Sequence, residues 1–358
     1  MDILKSARKY LFTALAALLA AGFTACDESM FDSEGDCEVT HSIRFLYEKN
    51  LKWADAFPSE VRSIHLYAFD TRGLFVKEYT AAGEALSEPG WLLPLDLPTG
   101  TYRFVAWCGL ENGAAEESFT VPQPVAGVTT IEELTCTLNT TRGDDGETSG
   151  DELDFLYYGR SEETLVDNHD GQDYVYDIYL TKDTNHIRII LNELTSDEDM
   201  DPKDYDIRIE AVNGLMGHDN ELLGNTVVTY TPWDISADEV AVGKPDADDE
   251  VKTIRGIIAD FSVSRMTAGQ AGSMRLTITD RRSNDKIITR VPVIHYALLS
   301  KGYYEKAYRH QMTDQDFLDR EDEYVFTFFL YDNKWLDSYI DIHSWRVVLH
   351  DYEVGTEH

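Results

Sequence analysis

The chain is poor in positively charged side chains. Its 358 residues include 31 Lys and Arg against 66 Asp and Glu, which gives a formal net charge of -35 at pH 7. Such an excess of acid repels phosphate backbones and anionic lipid head groups. The composition therefore predicts no nucleic-acid partner, and it disfavours membrane binding by charge alone.

Cysteine is also scarce, with four in the chain and no CxxC pair. Neither a zinc knuckle nor a thioredoxin-type redox site is supported. Besides Cys26, the residues Cys37, Cys108 and Cys136 allow at most one disulfide and leave one thiol over. Cys108 and Cys136 lie in strand-like segments, so either could face the other or Cys37, and the spacing leaves the pairing open.

The recognisable catalytic motifs are missing. The sequence contains no GxSxG, HExxH, Walker loop or GxGxxG, and its ten histidines are dispersed. The acidic loop at 167–173 lacks the spacing of an EF-hand. We therefore predict no catalytic residue, no cofactor and no metal site, and we expect the protein not to be an enzyme.

A long apolar run occurs only once, near the N-terminus. Three cations within residues 5–9 precede the apolar residues 11–23, and Thr24-Ala25-Cys26 follows. The run is shorter than the roughly 20 residues that cross a bilayer, and the pattern is typical of a secretory signal, here residues 1–25. Cleavage before Cys26 would leave a thiol that can carry lipid, each buried methylene adding about 0.8 kcal/mol of membrane affinity. We predict Cys26 as a lipidation site.

The segment 26–39 that follows is acidic and has little to bury. One interpretation is a solvated tether. The other is an address, since acidic residues after the lipidated cysteine direct some lipoproteins to the outer face of the outer membrane.

Beyond residue 40 the dominant hydrophobic period is two. In 205–211, for example, apolar residues alternate with Asp206, Arg208 and Glu210, as expected of a strand with one dry face and one wet face. Turn-forming sequences separate such segments, a pattern typical of β-sandwiches. Other strand-like segments lie at 43–47, 64–69, 74–79, 102–107, 174–180, 187–191, 226–230, 274–278, 287–293, 324–330 and 345–349.

Two short helices and one linker interrupt this pattern. Thr313 and Asp316 resemble a capping box, and 296–308 favours a helical turn or two, both as additions to a loop. Residues 139–150 contain no large apolar side chain. We therefore predict an all-β protein with two β-sandwich domains in tandem, at 40–140 and 153–358, joined by a linker at 141–152.

Several longer stretches resemble a known family. They are Tyr47-Glu48-Lys49-Asn50, Ala54-Asp55-Ala56-Phe57-Pro58, Leu97-Pro98-x-Gly100-x-Tyr102-x-Phe104-Val105-Ala106-Trp107, Leu156-Tyr157-Tyr158-Gly159, Leu318-Asp319-Arg320-Glu321-Asp322 and Trp335-x(4)-Ile340-x-Ile342-x-x-Trp345-x-Val347. In these stretches, which span nearly the whole mature chain, the protein resembles the fimbrial anchor lipoproteins of type V fimbriae, the minor-fimbriae anchor subunit and its relatives.

The resemblance implies two transthyretin-like sandwiches, lipid at Cys26 and a place on the cell outer membrane at the base of a fimbrium. The implied partners are structural fimbrillin subunits, and no catalysis is implied. Relatives carry a cysteine where this chain has Ser63 and a glycine where it has Cys108. A rewired disulfide between Cys37 and Cys108 is therefore an expectation of the resemblance.

A junction with the first fimbrillin is expected at an exposed sheet edge, where a neighbour's strand pairs with free N–H and C=O groups. The apolar C-terminal strands are the candidates. Their junction residues are Tyr324, Phe326, Phe328, Leu330, Trp345, Val347 and Leu349.

Two other functions remain open from sequence. A surface glycan-binding lipoprotein of an uptake system would need several of the six tryptophans exposed in one plane. A secreted hydrolase would need two carboxylates facing each other in a cleft.

Overall fold

The computed structural model describes residues 39–110, 117–144, 146–167, 171–194, 200–242, 252–331, 334–342 and 345–349. The predicted signal, the acidic tether up to residue 38, Cys26 and Cys37 lie outside these residues. In the part described, no helix is both long and apolar enough to cross a membrane.

Strands dominate the described residues. They are β1 (Thr40–Leu46), β2 (Ser63–Phe69), β3 (Phe75–Ala82), β4 (Leu93–Leu95), β5 (Gly100–Cys108), β6 (Phe119–Thr120), β7 (Thr135–Leu138), β8 (Thr141–Gly143), β9 (Gly146–Ser149), β10 (Tyr157–Leu165), β11 (Asp173–Lys182), β12 (Thr184–Glu193), β13 (Tyr205–Ala211), β14 (Leu215–Gly217), β15 (Val228–Tyr230), β16 (Asp234–Val242), β17 (Lys252–Ser264), β18 (Arg275–Asp280), β19 (Lys286–Pro292), β20 (Glu323–Tyr331), β21 (Lys334–Ile342) and β22 (Trp345–Leu349). The α-helices are α1 (Phe57–Glu60), α2 (Val293–Leu298), α3 (Lys301–Tyr308) and α4 (Asp314–Leu318).

The N-terminal sandwich is built from one sheet, sheet A, in the order β3-β2-β5-β10-β11-β1-β4. Strand β10 pairs along its whole length with β5 but only at its first three residues with β11. Residues from both parts of the sheet share one core, so the sheet folds over at this point. Gly159 lies at the fold, where an added Cβ would come within 2.5 Å of the Ile178 side chain.

The C-terminal sandwich has two sheets of six strands. Sheet B has the order β16-β17-β12-β20-β21-β22, and sheet C has the order β19-β18-β13-β15-β9-β8. The alternation of β12 places Ile187, Ile189 and Leu191 in the core, together with Ile207 and Ile209 of β13. The prediction of an all-β fold with two β-sandwiches is confirmed.

A small sheet, sheet D, in the order β14-β7-β6, lies where the two sandwiches meet. Its Phe119 and Cys136 join one apolar cluster with Trp107 and Tyr158 of sheet A. The same cluster continues into the core of the C-terminal sandwich. The two sandwiches therefore share buried contacts.

The domain boundary differs from the prediction of a linker at 141–152. Strands β10 and β11 complete sheet A, although they follow that segment, and β8 and β9 within it pair at the edge of sheet C. Edge pairing uses backbone hydrogen bonds and needs few apolar side chains, so the strands left no signal in the sequence. The change of sandwich falls at Asp183, between β11 and β12.

The predicted helices are present, and the Thr313 side chain caps α4 by accepting a hydrogen bond from the Asp316 N–H at 3.0 Å. They are more than additions to a loop. Tyr304 and Phe317 are buried, and the residues that follow α4 contact the N-terminal sandwich. The helices therefore form part of the interface between the sandwiches.

Candidate functional site: a free strand edge and the joint between the sandwiches

Strand β20, one of the two predicted junction strands, is interior to its sheet. It pairs in parallel with β12 on one side and antiparallel with β21 on the other. The side chains of Tyr324, Phe326, Phe328 and Leu330 are each at most 1% exposed. Because both backbone edges are used and the apolar side chains fill the core, this strand offers no site for a neighbour's strand. Its apolar density reflects burial, which corrects the expectation of an exposed junction here.

Strand β22, the second predicted junction strand, is the last strand of sheet B. It pairs antiparallel with β21, Trp345 opposite Ile342 and Val347 opposite Ile340. Leu349 ends the strand, and no strand in the described part of the chain pairs with its other side. Half of its backbone N–H and C=O groups therefore face outward, as a strand edge requires for pairing with another chain.

Charged residues and proline on an edge strand block unwanted pairing with a strand of another chain. The edge strands of the C-terminal sandwich differ in how many of these residues they carry. Strand β16, at the other edge of sheet B, carries Asp234, Asp238 and Glu239. Strand β19, at an edge of sheet C, carries Lys286 and Arg290 and ends at Pro292, whereas β8 at the other edge is only three residues long. Strand β22 reads WRVVL, with one charge and no proline. It is the least protected of these four edges.

The two sandwiches are joined through a buried ion pair. Asp183 is the single residue between β11 and β12, it is 0% exposed, and its N–H donates to the carbonyl of Leu156 at 2.7 Å. Its Oδ1 accepts hydrogen bonds from Arg265 Nη1 at 2.7 Å and from Asn220 Nδ2 at 3.0 Å. Burial raises the pKa of Asp183 above its ordinary value, while Arg265 opposes that shift.

Arg265 extends this network to the interface. Burial acts to lower its pKa, but the charges of Asp183 and Asp319 outweigh that effect, so its pKa lies above the ordinary value. Arg265 Nη1 lies 3.3 Å from Asp319 Oδ1, and Lys49 of the N-terminal sandwich donates to Asp319 Oδ2 at 2.5 Å. Charged contacts therefore connect Asp183 at the joint, through Arg265 and Asp319, to Lys49 in the N-terminal sandwich.

Further contacts fix the same interface. Lys182 at the end of β11 donates to Asp322 at 2.5 Å, and its ammonium lies 3.6 Å from the centroid of the Phe155 ring. The guanidinium of Arg320 lies 4.3 Å from the centroid of Trp53. These charged groups come from both sandwiches, so they hold the two in one orientation.

The cysteines in the described residues, Cys108 and Cys136, are buried. Cys108 lies in the core of sheet A and Cys136 in the cluster shared with the C-terminal sandwich, and neither is bonded to the other. Burial raises the pKa of both thiols above the ordinary value, which keeps them protonated. Cys37 lies outside the described residues, so its pairing with Cys108 stays a prediction.

The described residues bring together few groups for chemistry. No group of three or more His, Cys, Asp or Glu side chains is placed to hold a metal ion within this part of the chain. Of the tryptophans whose side chains are described, Trp53 and Trp233 are exposed, and they lie in different sandwiches. They do not form the single platform that a glycan-capturing protein would need.

The sequence analysis missed the ionic joint. Asp183 lies 82 residues from Arg265 and Asn220 lies 37 residues from Asp183. The period of apolar residues and the spacing of local motifs carry no information on pairs so far apart in sequence. The stretch from Leu318 to Asp322, which matched the family, holds three members of this interface, Asp319, Arg320 and Asp322. The matching stretch from Tyr47 to Asn50 holds Lys49, the partner of Asp319, so these two family matches were the signals that pointed to the interface.

The comparisons with known proteins agree with this architecture. The sequence model of the fimbrillin-A associated anchor proteins Mfa1 and Mfa2 matches residues 33–351. The minor fimbrium anchoring subunit Mfa2 of Porphyromonas gingivalis is 25% identical over 229 residues, 62% of this chain. The match spans 66% of that relative, just under two thirds of its length.

Solved structures extend the likeness. A candidate adhesin from Bacteroides thetaiotaomicron VPI-5482 is 29% identical, with a TM-score of 0.72 over 86% of this chain and 97% of its own. The fimbrial anchor protein Mfa2 of Porphyromonas gingivalis shares the fold, with a TM-score of 0.60 and 18% identity over 87% of this chain and 99% of its own. Because the family model covers residues 33–351 of the 358, the protein belongs to the family of fimbrillin-A associated anchor proteins Mfa1 and Mfa2.

Proposed function

We propose that the protein is a lipid-anchored fimbrial anchor that tethers a filament of fimbrillin subunits to the outer membrane. The lipid is carried by Cys26, and the acidic segment 26–39 spaces the first sandwich from the membrane. Family membership supports the anchor role, and the related protein is named an anchoring subunit of the minor fimbrium. The signal pattern before Cys26 supports the lipid.

The first fimbrillin binds by strand addition at β22. The observation that carries this proposal is that β22 is a free edge with one charge and no proline, whereas β16, β19 and β8 are charged or short. A partner strand placed there gains main-chain hydrogen bonds, and its alternate side chains meet the faces of sheet B.

The charged interface gives the anchor a fixed shape between its two attachments. The tether enters at β1 in the N-terminal sandwich, and β22 lies in the C-terminal sandwich. The ion pairs of Lys49 with Asp319 and of Lys182 with Asp322 connect the two. A filament bound at β22 is thereby held at a defined angle to the tether.

Replacing the lipidated cysteine tests the tether. In cells that carry Cys26→Ala, we expect filaments to be released into the medium, because nothing else in the protein is predicted to insert in the membrane. The measurement is the fimbrillin content of washed cells and of medium, with mass spectrometry of the mature N-terminus. Ser29→Ala, three residues away, should leave filaments on the cells. Retention of filaments by Cys26→Ala, or a wild-type protein without acyl chains, would contradict the proposal.

A further inference from the structure

A polar cleft lies on the outer face of sheet B, away from β22 and close to the joint between the sandwiches, where the His186 ring lies 5.6 Å from the Phe155 ring. Its volume is about 240 Å³, and its walls come from β12, β17, β20 and the residue before β16. The side chains that face it include His186, Arg188, Trp233, Asp260 and Glu323. None of them contributes to the function proposed above.

The floor of the cleft is a fixed pair of opposite charges. Arg188 donates to Asp260 through Nε at 2.7 Å and through Nη2 at 2.9 Å. This two-point contact locks the guanidinium, and it leaves the second terminal nitrogen Nη1 free to donate. The pKa of Arg188 lies above its ordinary value, chiefly because of the hydrogen bond to Asp260. The floor therefore presents donors and acceptors on rigid strands.

Two further polar groups line the cleft, His186 and Glu323. The Nε2 atom of His186 is buried and makes no hydrogen bond. On the neighbouring strand β20, Glu323 lies opposite His186 of β12, and its exposed carboxylate helps to raise the pKa of Arg188. The accessible polar group for a ligand hydroxyl is therefore the Glu323 carboxylate, whereas His186, whose Nε2 is closed to solvent, only shapes the wall.

One wall of the cleft is aromatic. Trp233 is 38% exposed, and its backbone N–H donates to the carbonyl of Asp260 at 2.9 Å, which holds the residue at the cleft. A partly exposed indole at this position offers an apolar flat surface beside the polar floor. The site thus combines one flat apolar face with directed donors and acceptors.

Size and charge select the ligand class. The volume of 240 Å³ lies below the range of about 300–1,000 Å³ of pockets for drug-sized molecules, so it suits one ring. Glu323 and Asp260 outnumber Arg188, which disfavours phosphates and uronic acids, while the guanidinium in the floor opposes a cation. A neutral pyranose has an apolar C–H face and directed hydroxyls, which match the indole and the polar floor.

The geometry points to a binding site for one neutral sugar ring at Trp233, Arg188, Asp260, Glu323 and His186. This site does not depend on the fimbrial role proposed above. It gives the anchor a contact with glycans at the base of a filament, and it is too small to grip a long polymer.

The test is titration of the full mature chain with methyl glycosides of glucose, galactose, mannose and N-acetylglucosamine. Indole NMR signals report binding, and the Trp233 signal is assigned by its loss in Trp233→Ala. For at least one sugar we expect saturable shifts of the Trp233 signal, with a Kd of about 1–10 mM. Trp233→Ala and Glu323→Gln should each weaken binding about tenfold or more. Trp53→Ala, which removes the other indole that is exposed among the described side chains, should leave binding unchanged.

Three results would overturn the proposal. The first is that no sugar gives a saturable shift up to about 50 mM. The second is that sugar binding survives Trp233→Ala unchanged. The third is that methyl glucuronide or N-acetyl-lysinamide binds more tightly than every neutral sugar. Thermal unfolding of each variant shows whether a loss of binding comes from the cleft or from a loss of the fold. If the Trp233→Ala variant is unfolded, the effect of Glu323→Gln on sugar binding is the test of the site, because Glu323 lies at the exposed rim.

Discussion

At the scale of single residues, the interface between the sandwiches depends on charges that lie inside the protein. A buried ion pair adds little net stability when it forms, because both ions lose water, but removal of one partner leaves an uncompensated charge. Arg265 is the shared partner of Asp183 and Asp319. Among the cations described, Arg265 is therefore the one whose removal should destabilise the fold most.

We predict that Arg265→Ala lowers the free energy of unfolding by about 3–5 kcal/mol, because the buried carboxylate of Asp183 loses its cation and Asp319 keeps only Lys49. Urea denaturation followed by tryptophan fluorescence measures this. The control is Arg72→Ala, whose side chain is 74% exposed and pairs with Asp70 at the surface. The control should change stability by less than about 0.5 kcal/mol, and equal effects of the two variants would contradict a special role of Arg265.

A second residue-scale prediction concerns pH. Glu78 accepts hydrogen bonds from Gln123 at 2.9 Å and contacts His65 Nδ1 at 2.8 Å. The hydrogen bond with His65 contributes most to lowering the pKa of Glu78 below its ordinary value. The folded state therefore favours the carboxylate. Its stabilising contribution is complete above the unfolded pKa and is lost as pH falls through the folded pKa.

Glu78→Gln should accordingly destabilise the protein at about pH 7, and the difference from the wild type should shrink below about pH 4.5. Urea denaturation across this range is the measurement. Glu132→Gln, at an exposed position, should have no effect at either pH. A difference that grows as pH falls would show that the carboxylate is not favoured in the folded state.

At the scale of strands, the sequence predicted β20 and β22 within one or two residues but assigned both the same role. Alternation of apolar residues identifies a strand, and it does not show which strands lie beside it. Parallel pairing of β20 with β12 joins Tyr324 to Ile187, which lie 137 positions apart in the chain. The same lack of long-range information placed β10 and β11 in the wrong sandwich.

Strand β22 should be sensitive to proline at alternate positions. Consecutive residues of a strand direct their N–H groups to opposite sides, so one of Val347→Pro and Val348→Pro removes a donor facing β21, and the other removes a donor on the free edge. The variant that loses a donor on the free edge should keep its melting temperature within about 2–4 °C of the wild type. The same variant should lose filament attachment.

The matched control is the same pair of changes on the opposite edge of sheet B, at Ala237 and Asp238 of β16. Both control variants should keep filaments attached as long as they fold. Attachment that survives both prolines in β22 would place the fimbrillin elsewhere, and attachment lost only with changes in β16 would move the junction to that edge.

At the scale of the whole molecule, the tandem of two β-sandwiches was predictable from composition and periodicity, because many short alternating strands have few other stable arrangements. The orientation of the sandwiches was not. It depends on charged pairs such as Lys49 with Asp319, formed between residues far apart in sequence. The candidate lipid site at Cys26 could be predicted from sequence because a signal sequence acts before folding. Its pattern consists of neighbouring residues and needs no long-range contacts.

We predict that Lys49→Ala combined with Lys182→Ala lets the sandwiches pivot about Asp183. Small-angle X-ray scattering should show a larger radius of gyration and a broader distance distribution, while circular dichroism shows that both sandwiches remain folded. The control combines Arg44→Ala and Lys77→Ala, which break pairs within the N-terminal sandwich, with Asp177 and Asp96. An unchanged profile for the first variant would show that apolar contacts alone fix the orientation.

The parallel pairing of β1 with β11 has a mechanical consequence. The seven residues from Thr40 to Leu46 run alongside β11 from Asp173 to Tyr179, and both strands point the same way. In the anchor proposed above, with lipid at Cys26 and a filament bound at β22, flow that drags the filament would pull the start of β1 toward the cell and the end of β11 away from it. The two strands are then loaded in shear, so their hydrogen bonds share the force and must break together, whereas a peeled hairpin would open one bond at a time.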